Sequence, residues 1–171
     1  PYRHYLNIRT SVPLTQVVIG NDGTVSPSNA GIVRNGDIYL LTDTVVNCTI
    51  EVQKDNIVID GAGHSFIASV DEGTGFGEQA ITFHDRNNVN IRNIVFKKYS
   101  TCIVASNSSG ITIAHNIMGN GGLVGLLLDN CNYTTITDNT INDVSQAIMI
   151  NSQTPFQSTN CTIARNIIAN A

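Results

Sequence analysis

Ala80-Ile-Thr-Phe-His-Asp85, Cys102-Ile-Val-Ala-Ser-Asn107, Gly125-Leu-Leu-Leu-Asp-Asn130 and Ala147-Ile-Met-Ile-Asn-Ser152 are four copies of one phrase, starting 22, 23 and 22 residues apart. A second phrase keeps nearly the same beat: Val89-Asn-Ile-Arg-Asn-Ile94, Ile111-Thr-Ile-Ala-His-Asn-Ile117, Tyr133-Thr-Thr-Ile-Thr-Asp-Asn-Thr-Ile141 and Thr162-Ile-Ala-Arg-Asn-Ile167. Self-similarity at a period between about 20 and 50 residues marks a repeat architecture. Within each unit, short runs rich in Ile, Val and Thr alternate apolar and polar residues, and Asn, Gly, Asp and Ser punctuate them. No run reaches the ~10 residues of a helix.

A unit this short cannot bury its apolar face alone, so neighbours must stack. The pattern predicts an all-β fold: a right-handed, single-stranded parallel β-helix of about five coils, each ~22–23 residues long. Like residues then form columns, with rungs ~4.8 Å apart. Small residues align at Ala80, Cys102, Gly125 and Ala147, and aliphatics at Ile81, Ile103, Leu126 and Ile148. Asn93, Asn116, Asn139 and Asn166 are expected to form a third column at an inward bend. There an Asn adopts a left-handed conformation and bonds neighbouring amides.

Residues 1–45 break the beat. Asn21-Asp-Gly23 signals a turn between strand-like runs, and Ser26-Pro-Ser-Asn-Ala-Gly31 a loop. This segment is expected to cap the stack, with its first residues serving as an arm that lends a strand to a neighbouring subunit. Residues 46–171 are expected to form the β-helix, open at its C-terminal end.

At 171 residues the chain is one domain with room for a core. Charged residues make up only 13%, and the net charge is −4. No basic patch interleaves with aromatics, which argues against a nucleic-acid partner. No apolar run approaches the ~18 residues that span a membrane as a helix.

Four cysteines, Cys48, Cys102, Cys131 and Cys161, allow three pairings. Cys102 sits in the small-residue column and reads as a buried hydrophobe. Cys131 and Cys161 fall at turn-like positions of adjacent coils, and geometry decides whether they are bridged. Asn47, Asn107, Asn132 and Asn160 head glycosylation sequons, which permit a secreted setting.

The resemblance to a known family rests on three stretches. Asn35-Gly-Asp-Ile-Tyr-Leu-Leu-Thr-Asp43 is followed by Asn56-Ile-Val-Ile-Asp-Gly-Ala-Gly-His-Ser-Phe66, and then by the repeated coils from Asn88 onward. In this the chain resembles the NosD-like right-handed β-helix repeats of secreted archaeal and bacterial surface proteins. Those belong to a wider group of carbohydrate-binding and sugar-hydrolase β-helices. The resemblance implies the fold and an extracellular or cell-surface location. Copper delivery, associated with NosD, is not carried over, since the chain has two Met and no Met/His cluster.

Candidate chemistry falls in two columns. Asp60, Arg92, His115, Asp138 and Arg165 are expected to stack near a bend. They read first as a ladder of opposite charges, and alternatively as a site for a sugar acid or proton transfer. His84, Ser106, Asp129 and Asn151 form the second column, beside Asp85, Asn107, Asn130 and Ser152. Two rungs would separate His84 from Asp129, too far for a hydrogen bond. Asp85 and Asp129 would be separated likewise, near the spacing of inverting glycosidase carboxylates. No metal site is expected, and Ca²⁺ held by Asp71, Glu72 and Glu78 is a minor alternative.

From these features the chain is expected to build an extracellular layer, sheath or filament. Copies would stack head to tail through coil ends and N-terminal strands. The alternative is a β-helix that binds or processes polysaccharide.

Overall fold

The computed structural model describes residues 15–68, 78–119, 122–152 and 157–171. Its first coil carries β1 (Thr15–Ile19), β2 (Val25–Ser26), β3 (Ile32–Asn35), β4 (Ile38–Leu41) and β5 (Val45–Val46). Five regular coils follow. They are β6 (Cys48–Val52), β7 (Ile57–Asp60) and β8 (Ser65–Ile67), then β9 (Gln79–His84), β10 (Val89–Arg92) and β11 (Val95–Lys97). Next come β12 (Thr101–Ser106), β13 (Thr112–Ala114) and β14 (Ile117–Gly119), then β15 (Gly122–Asp129), β16 (Thr135–Thr137) and β17 (Thr140–Asn142). The last coil holds β18 (Val144–Asn151), β19 (Thr162–Ala164) and β20 (Ile167–Ala169).

Corresponding strands stack into three parallel sheets, so the molecule is a parallel β-helix. Register is kept rung over rung. Ile50, Ile81, Ile103, Leu126 and Ile148 share one column in the first sheet. Ile59, Ile91, Ile113, Ile136 and Ile163 share one in the second. Phe66, Phe96, Met118, Ile141 and Ile168 share one in the third. These side chains point inward and form the core. All are buried except in the last coil, where Ile163 is 51% and Ile168 49% exposed. Each buried aliphatic contributes about 1.5–3 kcal/mol, but only with another rung to cover it. That dependence explains why the same residue type recurs at every level. Tilted ring contacts, Phe66–Phe96 at 6.1 Å and Phe66–Tyr99 at 6.4 Å, fill the third-sheet corner.

The stack begins earlier than the sequence pattern indicates. β1 pairs in parallel with β6, β4 with β7 and β5 with β8, so the stack reaches down to Thr15 rather than starting at residue 46. Residues 20–37 obscure the beat because they insert antiparallel additions, β2 on β1 and β3 on β4, into this one coil. Tyr39 pins the insertion: its buried hydroxyl donates to the Gly23 carbonyl at 3.0 Å, and Arg34 lies 5.9 Å above its ring. The arm expected of the first residues lies mainly outside the described residues.

Bends between sheets are made by single left-handed residues at fixed places. Asp85, Asn107 and Asn130 end first-sheet strands, while Asn56, Asn88, Tyr133 and Asn160 precede second-sheet strands, all with φ between 47° and 57°. Asn and Asp tolerate this region because their short side chains bond locally. Between the second and third sheets the left-handed residues are Asn93, His115, Asp138 and Arg165 in the later coils, and Ala62 with Gly63 between β7 and β8.

That last bend corrects the expected asparagine column. Asn116, Asn139 and Asn166 do point inward, one residue after the left-handed position. Asn93 occupies the left-handed position itself, and Ile94 takes the inward place at its level. Asn116 Oδ1 accepts from the Ile94 amide (3.1 Å), Asn139 Oδ1 from the Asn116 amide (2.9 Å) and Asn166 Oδ1 from the Asn139 amide (3.0 Å). Each inward Asn therefore satisfies the bend amide of the coil before it, a donor that burial would otherwise leave unpaired.

Candidate functional site

The outward face of the first sheet presents a row of polar side chains because inward and outward residues alternate along each strand. Thr82 and Val104 share one outward column, and His84, Ser106, Asp129 and Asn151 share the next. The second expected column is thus placed as one ladder. Asn151 Nδ2 donates to Asp129 Oδ1 at 2.7 Å, so Asp129 is engaged by the rung above it.

An open groove of about 510 Å³ runs across β6, β9 and β12. Glu51, Gln53, Thr82, His84, Asp85 and Arg86 are among its walls. Glu51 accepts from Gln16 at 2.6 Å and from Gln53 at 2.8 Å, which fixes its carboxylate. Arg86 is tied down by the His84 carbonyl (3.0 Å), the Gln53 carbonyl (2.7 Å) and the Asp55 carboxylate (3.6 Å). At the centre, His84 Nδ1 lies 2.7 Å from Ser106 Oγ and His84 Nε2 lies 2.7 Å from Asp85 Oδ2. As the spacing predicts, His84 and Asp129 stand two rungs apart in this column, with Ser106 between them. The contacts of His84 are to Ser106 on the adjacent rung and to Asp85 beside it.

The first expected column divides in two. Asp60 is level with Arg92, and Arg92 with Ala114. His115, Asp138 and Arg165 belong to the left-handed column one residue further on. The cause is the spacing after the inward Ile: Asn follows Ile91 by two residues but Ile113 by three. Arg92 Nε donates to Asp60 Oδ2 at 2.8 Å. Burial pushes the Asp60 carboxyl up, but the Ala62 amide, Asn93 and Arg92 outweigh it and hold it below its ordinary value. Asp138 receives Arg165 Nε at 2.7 Å and Nη2 at 2.8 Å, and Thr137 Oγ1 at 2.8 Å. Those bonds, Arg165 first, lower its carboxyl to about 2. Both are two-member pairs rather than one five-residue site. A small hollow of about 280 Å³ adjoins His115, floored by Val95 and Ile117.

Cys48, Cys102, Cys131 and Cys161 are all free thiols. Cys161 Sγ meets the Cys131 carbonyl at 3.6 Å instead of its sulfur, because the two side chains enter the turn at different offsets. Asn47 is 7% exposed, so its sequon is closed to a glycan in the folded chain. Asn107 and Asn160 are exposed and Asn132 is half-buried. Asp71 and Glu72 lie outside the described residues, and burial raises the carboxyl of Glu78.

The rungs and the polar groove define a parallel β-helix repeat protein. The profile of the family described as NosD, periplasmic copper-binding protein, matches residues 15–171, and the chain belongs to that family. No curated protein matches it. A glycosyl-hydrolase candidate from Parabacteroides merdae ATCC 43184 is similar in structure, with 11% identity, a TM-score of 0.48, and coverage of 77% of this chain and 79% of that one. The catalytic domain of a GH87 α-1,3-glucanase in complex with nigerose is similar at 16% identity and a TM-score of 0.49, over 77% of this chain and 30% of that one.

The family description names copper, which takes imidazole or soft sulfur ligands. Among the described residues no three His, Cys, Asp or Glu side chains gather at one point. Met118 is fully buried in the core. Burial pushes the Cys48 thiol up to about 11 and Cys102 up to about 12, away from the thiolate that metals bind. His84 has both ring nitrogens engaged. The described residues do not fit a copper site.

Proposed function

We propose that this chain is a carbohydrate-binding β-helix, with its ligand lying along the outward face of the first sheet. The observation that carries the reading is the groove across β6, β9 and β12. Its volume of about 510 Å³ suits a short oligosaccharide. Its amide, carboxylate, guanidinium and hydroxyl groups match the mixed donors and acceptors of sugar hydroxyls. Rungs ~4.8 Å apart offer a linear polymer a repeating row of such groups. Family membership supports an extracellular or periplasmic location.

Titration of the protein against neutral and acidic polysaccharides tests this. Thr82→Trp fills the groove from its outward face and weakens binding at least tenfold. Lys97→Ala, on the third sheet, leaves binding unchanged. Equal affinity of Thr82→Trp and the native protein would refute the placement.

A further inference from the structure

The groove contains a hydrogen-bonded chain that binding alone does not require. Ser106 Oγ, the His84 imidazole and the Asp85 carboxylate are linked in series by two contacts of 2.7 Å each. Two of the three groups stand on paired strands, since His84 and Ser106 are register partners in β9 and β12. Asp85 follows His84 directly, and its left-handed backbone, φ 56°, turns the carboxylate back onto the imidazole. The Asp85 amide donates to the Ser106 carbonyl at 3.0 Å, which ties the two rungs together at this point. An ionised carboxylate only accepts. Asp85 Oδ2 therefore accepts a hydrogen bond from Nε2–H and leaves Nδ1 to accept from the Ser106 hydroxyl. The imidazole is used with its nitrogens in the order opposite to that of serine proteases, but the logic of nucleophile, base and orienting acid is the same. Arg86, held on the His84 carbonyl, brings a positive charge to the same wall.

We infer that Ser106, His84 and Asp85 form an acyl-transfer site that removes ester groups, such as O-acetyl, from a carbohydrate lying in the groove. The choice of substrate rests on the carbohydrate reading above. Ser106 Oγ bonds to the acyl carbon while its proton passes to His84 Nδ1. The ester C–O bond breaks, and the departing alcohol takes that proton. Water then adds to the acyl-serine and gives a proton to Nδ1. The acid leaves, and the proton returns to Ser106 Oγ. Only water is consumed.

Two measurements on the full chain test the inference. Phenylmethylsulfonyl fluoride is expected to modify Ser106, located by mass spectrometry, and the modification is lost in His84→Gln. p-Nitrophenyl acetate hydrolysis is expected to fall to background in Ser106→Ala and at least tenfold in Asp85→Asn. Circular dichroism checks that each variant is folded, and labelling of the native chain needs no variant. Absence of label on Ser106, or hydrolysis unchanged by Ser106→Ala, overturns the inference. Polysaccharide binding by the native protein is measured alongside. Binding without acyl transfer overturns the relay alone, and acyl transfer without binding overturns the carbohydrate reading alone.

Discussion

Asn139→Ala attacks the inward ladder at its most fully bonded member. Asn139 is 1% exposed. Its Oδ1 accepts from the Asn116 amide (2.9 Å) and from Asn116 Nδ2 (3.1 Å). Its Nδ2 donates to the carbonyls of Ile113 (2.9 Å) and Thr137 (3.0 Å) and to Asn166 Oδ1 (2.9 Å). Truncation orphans the buried Asn116 N–H, at about 1–3 kcal/mol, and removes four shared bonds worth up to about 1 kcal/mol each. A loss of about 3–5 kcal/mol follows, a large share of the ~5–15 kcal/mol that holds a domain together. Asn166→Ala removes the same kinds of bond from a half-buried site where water substitutes, and costs about 1–2 kcal/mol. Asn93→Gly keeps the left-handed backbone and loses one bond to Asp60, so it costs less than about 1 kcal/mol. Urea unfolding at constant slope reads all three as midpoint shifts. If Asn139→Ala costs no more than Asn93→Gly, the ladder does not hold the bends together.

Gly125→Ala is expected to destabilise by about 1–3 kcal/mol in the same assay, since the added Cβ would meet the Ala147 carbonyl at 2.5 Å and Ile141 Cγ2 at 2.9 Å. Asp138 has a carboxyl lowered from 3.8 to about 2, chiefly by Arg165. Its stabilisation is complete above pH 3.8 and is lost as pH falls toward 2, so Arg165→Ala flattens the acid limb of the unfolding profile in that window. Four thiols titrate in denaturant without reductant; two would reveal the Cys131–Cys161 bridge that the geometry lacks. In the folded chain Cys102 reacts last, because burial keeps it a thiol.

The columns in which one residue type recurs on every coil were legible in the sequence. Ile81, Ile103, Leu126 and Ile148 align as spaced, because coil length is conserved between them. Asn93 was misplaced because the phrase around it is one residue shorter. A left-handed residue sets the bend there, and neither His115 nor Arg165 announces that conformation by type. The first coil was hidden because inserted residues 20–37 break the period while parallel pairing continues. The Ser106–His84–Asp85 chain went unseen for another reason. The repeat spacing puts His84 one rung from Ser106 and beside Asp85, but the link among the three is set by side-chain orientation, which the pattern does not encode.

The groove and the Ser106–His84–Asp85 contacts require consecutive rungs of the first sheet to lie directly over one another. Disulfide trapping tests that stacking. In a Cys161→Ser background, Thr82→Cys with Val104→Cys places two thiols on paired residues one rung apart, within reach of a bridge. Thr82→Cys with Leu127→Cys places them two rungs apart, at about 9.6 Å, beyond reach. Rapid oxidation of the first pair and none of the second is the predicted result. Equal oxidation of both, or of the distant pair alone, would contradict the stacking and the groove built on it.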